Sequence, residues 1–213
     1  MDDKIIDNKE KEIVNKTKKI NFKEIRSWVL TVFIAFTLAF LINSKAYANV
    51  NVDGPSMQKT LYSNQRLIVD ELCYHFTNPQ KGDIITFYLN ENKGSILDDL
   101  HRYIDNVILN KDDEHEILVK RVIGVEGDIV DIRDGSVYVD GEKLEESYTY
   151  GKTYLDPGDI KTPVTVGKNE LFVLGDHRTD SSDSRVFGTI KLSQVLGKAI
   201  YRVYPFNKMG KIK

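Results

Sequence analysis

The hydrophobic positions of this chain change character once. Between Arg26 and Lys45 lie 18 consecutive uncharged residues, with an unbroken apolar centre from Trp28 to Ile42 apart from two threonines. Beyond residue 49 the apolar positions instead alternate with polar ones, the period of strands that bury one face. Strands are predicted over residues 50–53, 66–70, 83–89, 117–124, 129–132, 136–139, 170–174 and 199–204. Turn signals fall between them: Lys81-Gly82-Asp83, Glu126-Gly127-Asp128, Asp134-Gly135, Asp140-Gly141 and Asp156-Pro157-Gly158. Asp134-Gly135 between two alternating runs predicts a tight hairpin. Helical pattern is confined to the N-terminal run, a short turn around 57–63 and a stretch at 96–108. Residues 90–116 are polar, mostly acidic and without strand pattern, which predicts a surface insertion. The expected fold is mainly β, an antiparallel β-sheet domain behind one N-terminal helix.

At 1.5 Å per residue, 18 residues rise about 27 Å, enough to cross the hydrocarbon core of a bilayer. Residues 1–26 carry eight Lys and Arg, whereas only Lys45 and Lys59 lie at similar distance on the other side. The positive-inside rule then makes 1–26 a cytoplasmic tail, 27–44 a transmembrane anchor and 45–213 an extracytoplasmic domain in a single-pass cell-membrane protein. The same run also fits a secretory signal ending at Ala46-Tyr47-Ala48. A 26-residue basic leader and the long apolar run favour the uncleaved anchor, and either reading exports the bulk of the chain.

Composition narrows the chemistry. Thirty basic and 32 acidic residues leave a net charge of −2, so no basic field for nucleic acid exists. The single cysteine, Cys73, cannot form an internal disulfide, and the four histidines show no zinc-ligand spacing. No glycine-rich phosphate loop and no Gly-x-Ser-x-Gly elbow is present, so neither cofactor nor metal is expected. Hydrolysis by a side-chain nucleophile remains open.

Three segments could supply it. Gly54-Pro55-Ser56-Met57-Gln58-Lys59-Thr60-Leu61 sets a serine after a short strand, and Gly54 frees the backbone to offer an amide to an oxyanion. Lys120 sits among Leu118, Val119, Val122 and Ile123. Burial there would lower its pKa, and a base near neutrality requires a fall of about 3 units. The run Gly175-Asp176-His177-Arg178-Thr179-Asp180-Ser181-Ser182-Asp183-Ser184-Arg185 fits either an ordinary solvated turn or a hydrogen-bonded brace in which Asp183 and Arg185 pair.

Taken in order, Gly-x-Ser-Met-x-x-Thr-Leu, Gly82-Asp83-Ile84-Ile85-Thr86-Phe87, Lys120-Arg121-Val122-Ile123-Gly124-x-x-Gly127-Asp128 and Gly-Asp-His-Arg-x-x-Ser-x-Asp-Ser-Arg-x-x-Gly resemble the boxes of the type I signal peptidases (bacterial leader peptidases). The single-anchor form of Gram-positive bacteria is the most similar. The resemblance spans about residues 20–205 and implies the signal peptidase/SOS-repressor type of β domain. It implies a membrane-bound serine endopeptidase with Ser56 as nucleophile and Lys120 as general base. It further implies Ser181 as a hydroxyl supporting Lys120, Asp183 with Arg185 as a structural ion pair, and an oxyanion site at the Ser56 amide with help near Gly54. The implied partners are signal peptides of exported preproteins, the lipid bilayer and, transiently, the secretion machinery, with no nucleic acid. Lys59 departs from the pattern, standing where the family has proline. Gly54 lacks the hydroxyl some members place there, so the oxyanion site must lean on backbone or Thr60.

An extended signal peptide turns its −1 and −3 side chains to one side, because strand period is two. A substrate strand laid beside Val50–Val52 or Leu118-Val119 would meet shallow pockets walled by Val50, Val52, Met57, Leu61, Leu118 and Val119. Met57, Leu61, Tyr74 and Phe76 are candidates to dip into the membrane interface. Two alternatives stand beside this reading: a Ser-His-Asp hydrolase built on His177 and Asp176, and a catalytically silent anchored homologue that binds partners. The SOS repressors share the Ser/Lys fold but carry a DNA-binding domain in place of an anchor. Ala46-Tyr47-Ala48 also resembles a cleavage site, which raises self-processing after Ala48.

Overall fold

The computed structural model describes residues 22–89 and 116–212, with side chains for all of these except 22 and 38–46. The predicted helical stretch at 96–108 and nearly all of the 90–116 insertion lie outside the described residues. The chain divides into two units, Met1–Ser44 and Lys45–Lys213.

The first unit carries helix α1 (Phe22–Ala46). Trp28, Val29, Leu30, Val32, Phe33, Ile34 and Phe36 are exposed along it. Thr31 and Thr37 turn their hydroxyls back onto the carbonyls of Ser27 and Phe33, at 2.9 and 2.8 Å. Among the described residues no helix is long and apolar enough to cross a membrane. Side chains 38–46, the end of the span expected over 27–44, lie outside those described.

The second unit is built from antiparallel strands: β1 (Tyr47–Asn51), β2 (Arg66–Asp70), β3 (Ile84–Tyr88), β4 (Ile117–Gly124), β5 (Ile129–Arg133), β6 (Ser136–Val139), β7 (Glu142–Lys143), β8 (Val164–Thr165), β9 (Glu170–Leu174), β10 (Ile190–Lys191), β11 (Val195–Tyr204) and β12 (Gly210–Lys211). The larger sheet runs β1-β2-β11-β3-β4-β9-β10 with β12 on β11, and the smaller runs β7-β6-β5-β8. Two short helices, α2 (Cys73–Phe76) and α3 (Ser184–Phe187), close turns. The β5–β6 hairpin turns at Asp134 and Gly135 with φ of 53° and 74°, the mirror-image turn that suits the right-handed twist of the strands. β11 begins four residues earlier than its alternation predicts. Gly197 breaks the pattern because a Cβ there would lie 2.4 Å from the Asp70 carbonyl, so β2 and β11 approach only through glycine.

Strand alternation sorts the core. Ile84 and Val119 share one face with Val50, Val52, Met57, Leu61, Leu67 and Val69. Ile85, Phe87 and Val122 line the opposite face with Val173, Ile190 and Val195. Ile123, Phe172 and Leu174 continue the first face under the smaller sheet, against Val130, Ile132, Val137 and Val139.

Candidate active site

Two neighbouring positions of β4 carry cations to opposite faces of the sheet. Lys120 pairs with Ile85 and Arg121 with Ile84, so alternation forces them apart. Lys120 is only 3% exposed, and its Nζ lies 2.8 Å from Ser56 Oγ. Burial lowers its pKa to about 8, opposed by the carboxylates of Asp183 and Glu116.

Ser56 occupies the turn after β1. Its carbonyl accepts the His177 N–H at 3.0 Å, and Leu61 N–H closes onto Met57 O at 2.7 Å. Ser56 N–H donates to none of the described residues. Gly54 holds φ +80°, a conformation natural to glycine. Its amide donates to Asp53 Oδ1 at 2.8 Å, and its carbonyl accepts Ser63 Oγ at 3.0 Å. The Gly54 amide, expected to help at the oxyanion, is here held by the exposed carboxylate of its neighbour. Thr60 is engaged too: its hydroxyl donates to Asp176 and accepts from Arg121.

The segment after β9 supports both faces. Asp183, fully buried, receives Arg185 through Nε at 2.8 Å and Nη2 at 2.9 Å, and also holds the Gly175 N–H at 3.0 Å. This is the paired brace, not the solvated turn, with a further bond to the end of β9. Arg121 pairs with Leu174, the last residue of β9, and Gly175 follows it. At Gly175 a Cβ would stand 2.1 Å from Ser181 Oγ and 2.5 Å from the Ser56 carbonyl. Only the missing side chain lets these two groups converge beside the lysine. Ser181 Oγ is buried there with no hydrogen-bond partner among the described residues. Among the described residues the lysine amine donates to Ser56, and no bond joins it to the Ser181 hydroxyl.

On the opposite face Arg121 clamps Asp176 through Nε at 2.9 Å and Nη2 at 2.8 Å, and reaches the Gly82 carbonyl through Nη1 at 2.9 Å. Its guanidinium stacks 3.9 Å from the Tyr148 ring centroid. Beside it, Arg178 is buried against Glu146 and Thr153. Burial, followed by the Glu146 carboxylate, pushes the Tyr148 phenol well above its usual range. Sequence reasoning did not find the Arg121–Asp176–Thr60 cluster. The available signal was a second charge, Arg121, inside the same apolar strand as Lys120. The geometry does not support the Ser-His-Asp alternative, because His177 Nδ1 has no partner among the described residues and Ser56 Oγ is bonded to Lys120.

The expected pocket walls are redistributed. Val50, Val52, Met57, Leu61 and Val119 are all buried in one core cluster, whereas Leu118, half-buried, packs on the opposite face. Six side chains split by strand parity cannot wall one pocket, so Leu118 is corrected to the Lys120 face. Met57 and Leu61 are core rather than interfacial. Tyr74 donates its hydroxyl to Asp83 Oδ2 at 2.9 Å, which leaves Phe76 exposed. β4 pairs with β3 from Ile117 on, but with β9 only from Arg121 on. One side of Ile117–Lys120 is thus an open strand edge leading to Ser56 among the described residues.

The sequence profile of the signal peptidase family, peptidase S26, matches residues 25–204. A signal peptidase I of Leptolyngbya laminosa is 32% identical over 184 residues, covering 86% of this chain and 82% of the relative. A signal peptidase IB of Staphylococcus aureus (strain COL) is 30% identical over 200 residues, covering 87% and 93%. A crystal structure of a signal peptidase I from Enterococcus faecalis aligns with 57% of this chain and 97% of its own, at 27% identity and a TM-score of 0.37. From the span of the profile match and the coverage of these relatives, the chain belongs to the signal peptidase family, peptidase S26, and is a serine peptidase.

Proposed function

We propose that this chain is a membrane-anchored endopeptidase that removes N-terminal signal peptides from exported preproteins after small residues at −1 and −3, using Ser56 and Lys120 as a dyad. The observation that carries the proposal is the 2.8 Å approach of a buried lysine amine to a serine hydroxyl. An amine with a pKa of about 8 is partly neutral at physiological pH and able to accept a proton. Lys120 takes the Ser56 proton as Oγ attacks the scissile carbonyl, then delivers it to the leaving amine. The same neutral amine activates the water that hydrolyses the acyl-enzyme. The Ser56 N–H, without an acceptor among the described residues, is the oxyanion donor in this reading. Asp183, paired with Arg185, holds the Gly175 N–H, and in this reading Ser181 supports the Lys120 amine through its hydroxyl.

The open edge of β4 suits the substrate. Val122 N donates to Asp83 O and Leu89 N to Glu116 O, so even-numbered residues of β4 turn their main chain toward β3. The odd positions, Ile117 and Val119, turn theirs to the open side, where an extended peptide adds as a strand. In this reading the buried cluster of Val50, Val52, Met57, Leu61 and Val119 backs the substrate and admits only small side chains at −1 and −3.

In the same proposal residues 27–44 span the membrane, with the N-terminus cytoplasmic and 45–213 on the extracytoplasmic face. The exposed apolar side chains of α1 and its self-bonded threonine hydroxyls support this, as does the excess of Lys and Arg before it. Anchoring keeps Ser56 close to newly translocated signal peptides and raises their effective concentration.

The test is cleavage of a purified preprotein by detergent-solubilised wild type, Ser56→Ala and Lys120→Ala, with product masses recorded. A cut after small residues at −1 and −3 that vanishes in both variants is expected. Equal cutting by all three refutes the dyad, and binding without cutting by wild type identifies a silent homologue. Alkaline carbonate extraction of membranes checks the anchor, and release of the chain into the supernatant removes it from the proposal.

A further inference from the structure

Tyr150 lies outside every motif quoted above, yet its backbone and its ring both lead to Ser56. Its N–H donates to Asp176 O at 2.8 Å and its carbonyl accepts Arg178 N–H at 2.9 Å, a parallel bridge that straddles His177. The residue so straddled turns its own N–H to the Ser56 carbonyl at 3.0 Å. Position 177 is therefore gripped on one edge by Tyr150 and grips the serine with the other.

The side chains repeat the arrangement. The Tyr150 ring meets the His177 imidazole edge-to-face, with centroids 4.7 Å apart at 89°. His177 Nδ1 is buried with no hydrogen-bond partner among the described residues, so packing on Tyr150, not a polar bond to Nδ1, orients that ring. Lys59, three residues after Ser56, carries its ammonium to 5.8 Å from the same Tyr150 centroid. The ring thus touches one residue that holds the Ser56 carbonyl and one that continues the Ser56 turn. Nevertheless it is 51% exposed, so the core does not require it.

We infer that Tyr150 is a positioning residue for the nucleophile: it fixes His177 and Lys59 on either side of Ser56 and so sets where Oγ and the Ser56 N–H point. The inference rests on Ser56 being the nucleophile. It makes no contact with Lys120, so it leaves the base unchanged. A displacement of 1 Å at a reacting atom costs about 100-fold in rate, and a relaxed turn shifts by a fraction of that.

The experiment compares wild type, Tyr150→Phe, Tyr150→Ala and Ser56→Ala, each as full chain in detergent, cleaving one preprotein across a pH series. Tyr150→Ala is expected to lower kcat about tenfold, with KM within twofold and the same apparent pKa on the pH profile. Tyr150→Phe keeps the ring and is expected within twofold of wild type. A raised KM with kcat unchanged overturns the inference and makes Tyr150 a substrate contact. A shifted pKa also overturns it, because the effect then runs through Lys120. If Tyr150→Ala fails to fold, Lys59→Gln is read in its place, and an unchanged kcat in that variant counts against the inference. Residual cutting by Ser56→Ala equal to wild type instead refutes the nucleophile assignment itself, a separate outcome.

Discussion

Replacing Gly175 by alanine tests the geometry of the site without touching any reacting group. The added Cβ would lie 2.1 Å from Ser181 Oγ and 2.5 Å from the Ser56 carbonyl, where ordinary contacts need more than 3 Å. Gly175 cannot retreat freely, because its N–H is held by the buried Asp183 at 3.0 Å. The nucleophile turn must therefore give way by the better part of an ångström. At about 100-fold per ångström, kcat for preprotein cleavage is expected to fall by roughly two orders of magnitude. Overpacking of this kind costs about 1–3 kcal/mol. For a unit the size of Lys45–Lys213 that corresponds to a fall in Tm of about 2–12 °C. Initial rates on a purified preprotein and a calorimetric scan measure the two effects. Adding Ser181→Ala removes the hydroxyl clash but not the one with the Cβ at 2.6 Å, and is expected to recover a small part of the lost stability and little activity, since the clash with the Ser56 carbonyl also persists. Wild-type kcat and Tm in Gly175→Ala would refute the reasoning, because the backbone would then have room that the geometry denies it.

Three further outcomes follow from the same contacts. Lys120 keeps its proton below a pKa of about 8 in the folded chain, against 10.5 when exposed, so kcat/KM is expected to rise through pH 8 and level off above it. Between those values the unfolded chain binds more protons, so stability rises with pH across that window. Below pH 8 the buried ammonium costs up to about 3 kcal/mol, and Lys120→Met is expected to raise Tm at pH 7 while abolishing cleavage; a lower Tm contradicts this. Asp183→Ala leaves Arg185 buried without its carboxylate and frees the Gly175 amide, an expected loss of about 3–5 kcal/mol by denaturant titration, and a loss below 1 kcal/mol would show that the pair is dispensable. Ala48 pairs with Val69 within β1, so the Ala48–Asn49 bond is held in a regular strand, and N-terminal sequencing of aged protein is expected to find it intact. A cut after Ala48 in wild type but not in Ser56→Ala would restore self-processing.

The strands and the hairpin at Asp134-Gly135 were legible from local signals, alternation over five to eight residues and turn residues that tolerate positive φ, whereas Ser56 and Lys120 were picked out by the resemblance of their ordered boxes to a known family. The short strands β7, β8, β10 and β12 were not legible, since two residues carry no period. Local pattern also could not divide the six expected pocket residues between faces. Alternation alone parts Leu118 from Val119, but that Val50, Val52, Met57 and Leu61 join the Val119 face depends on how the turn after β1 packs on the sheet. The contacts that place the nucleophile are longer in range still. Thr60 meets an aspartate 116 positions away, Arg121 meets the same aspartate across 55, and Ser181 comes to rest over Gly175 beside the Ser56 carbonyl. Which residue types could do the chemistry was written in the sequence. Which of their polar groups are already engaged, as at Gly54, Thr60 and Asp176, and which have no partner among the described residues, as at the Ser56 amide and the Ser181 hydroxyl, followed only from the tertiary structure, because hydrogen bonding is settled by what packing brings within 3 Å.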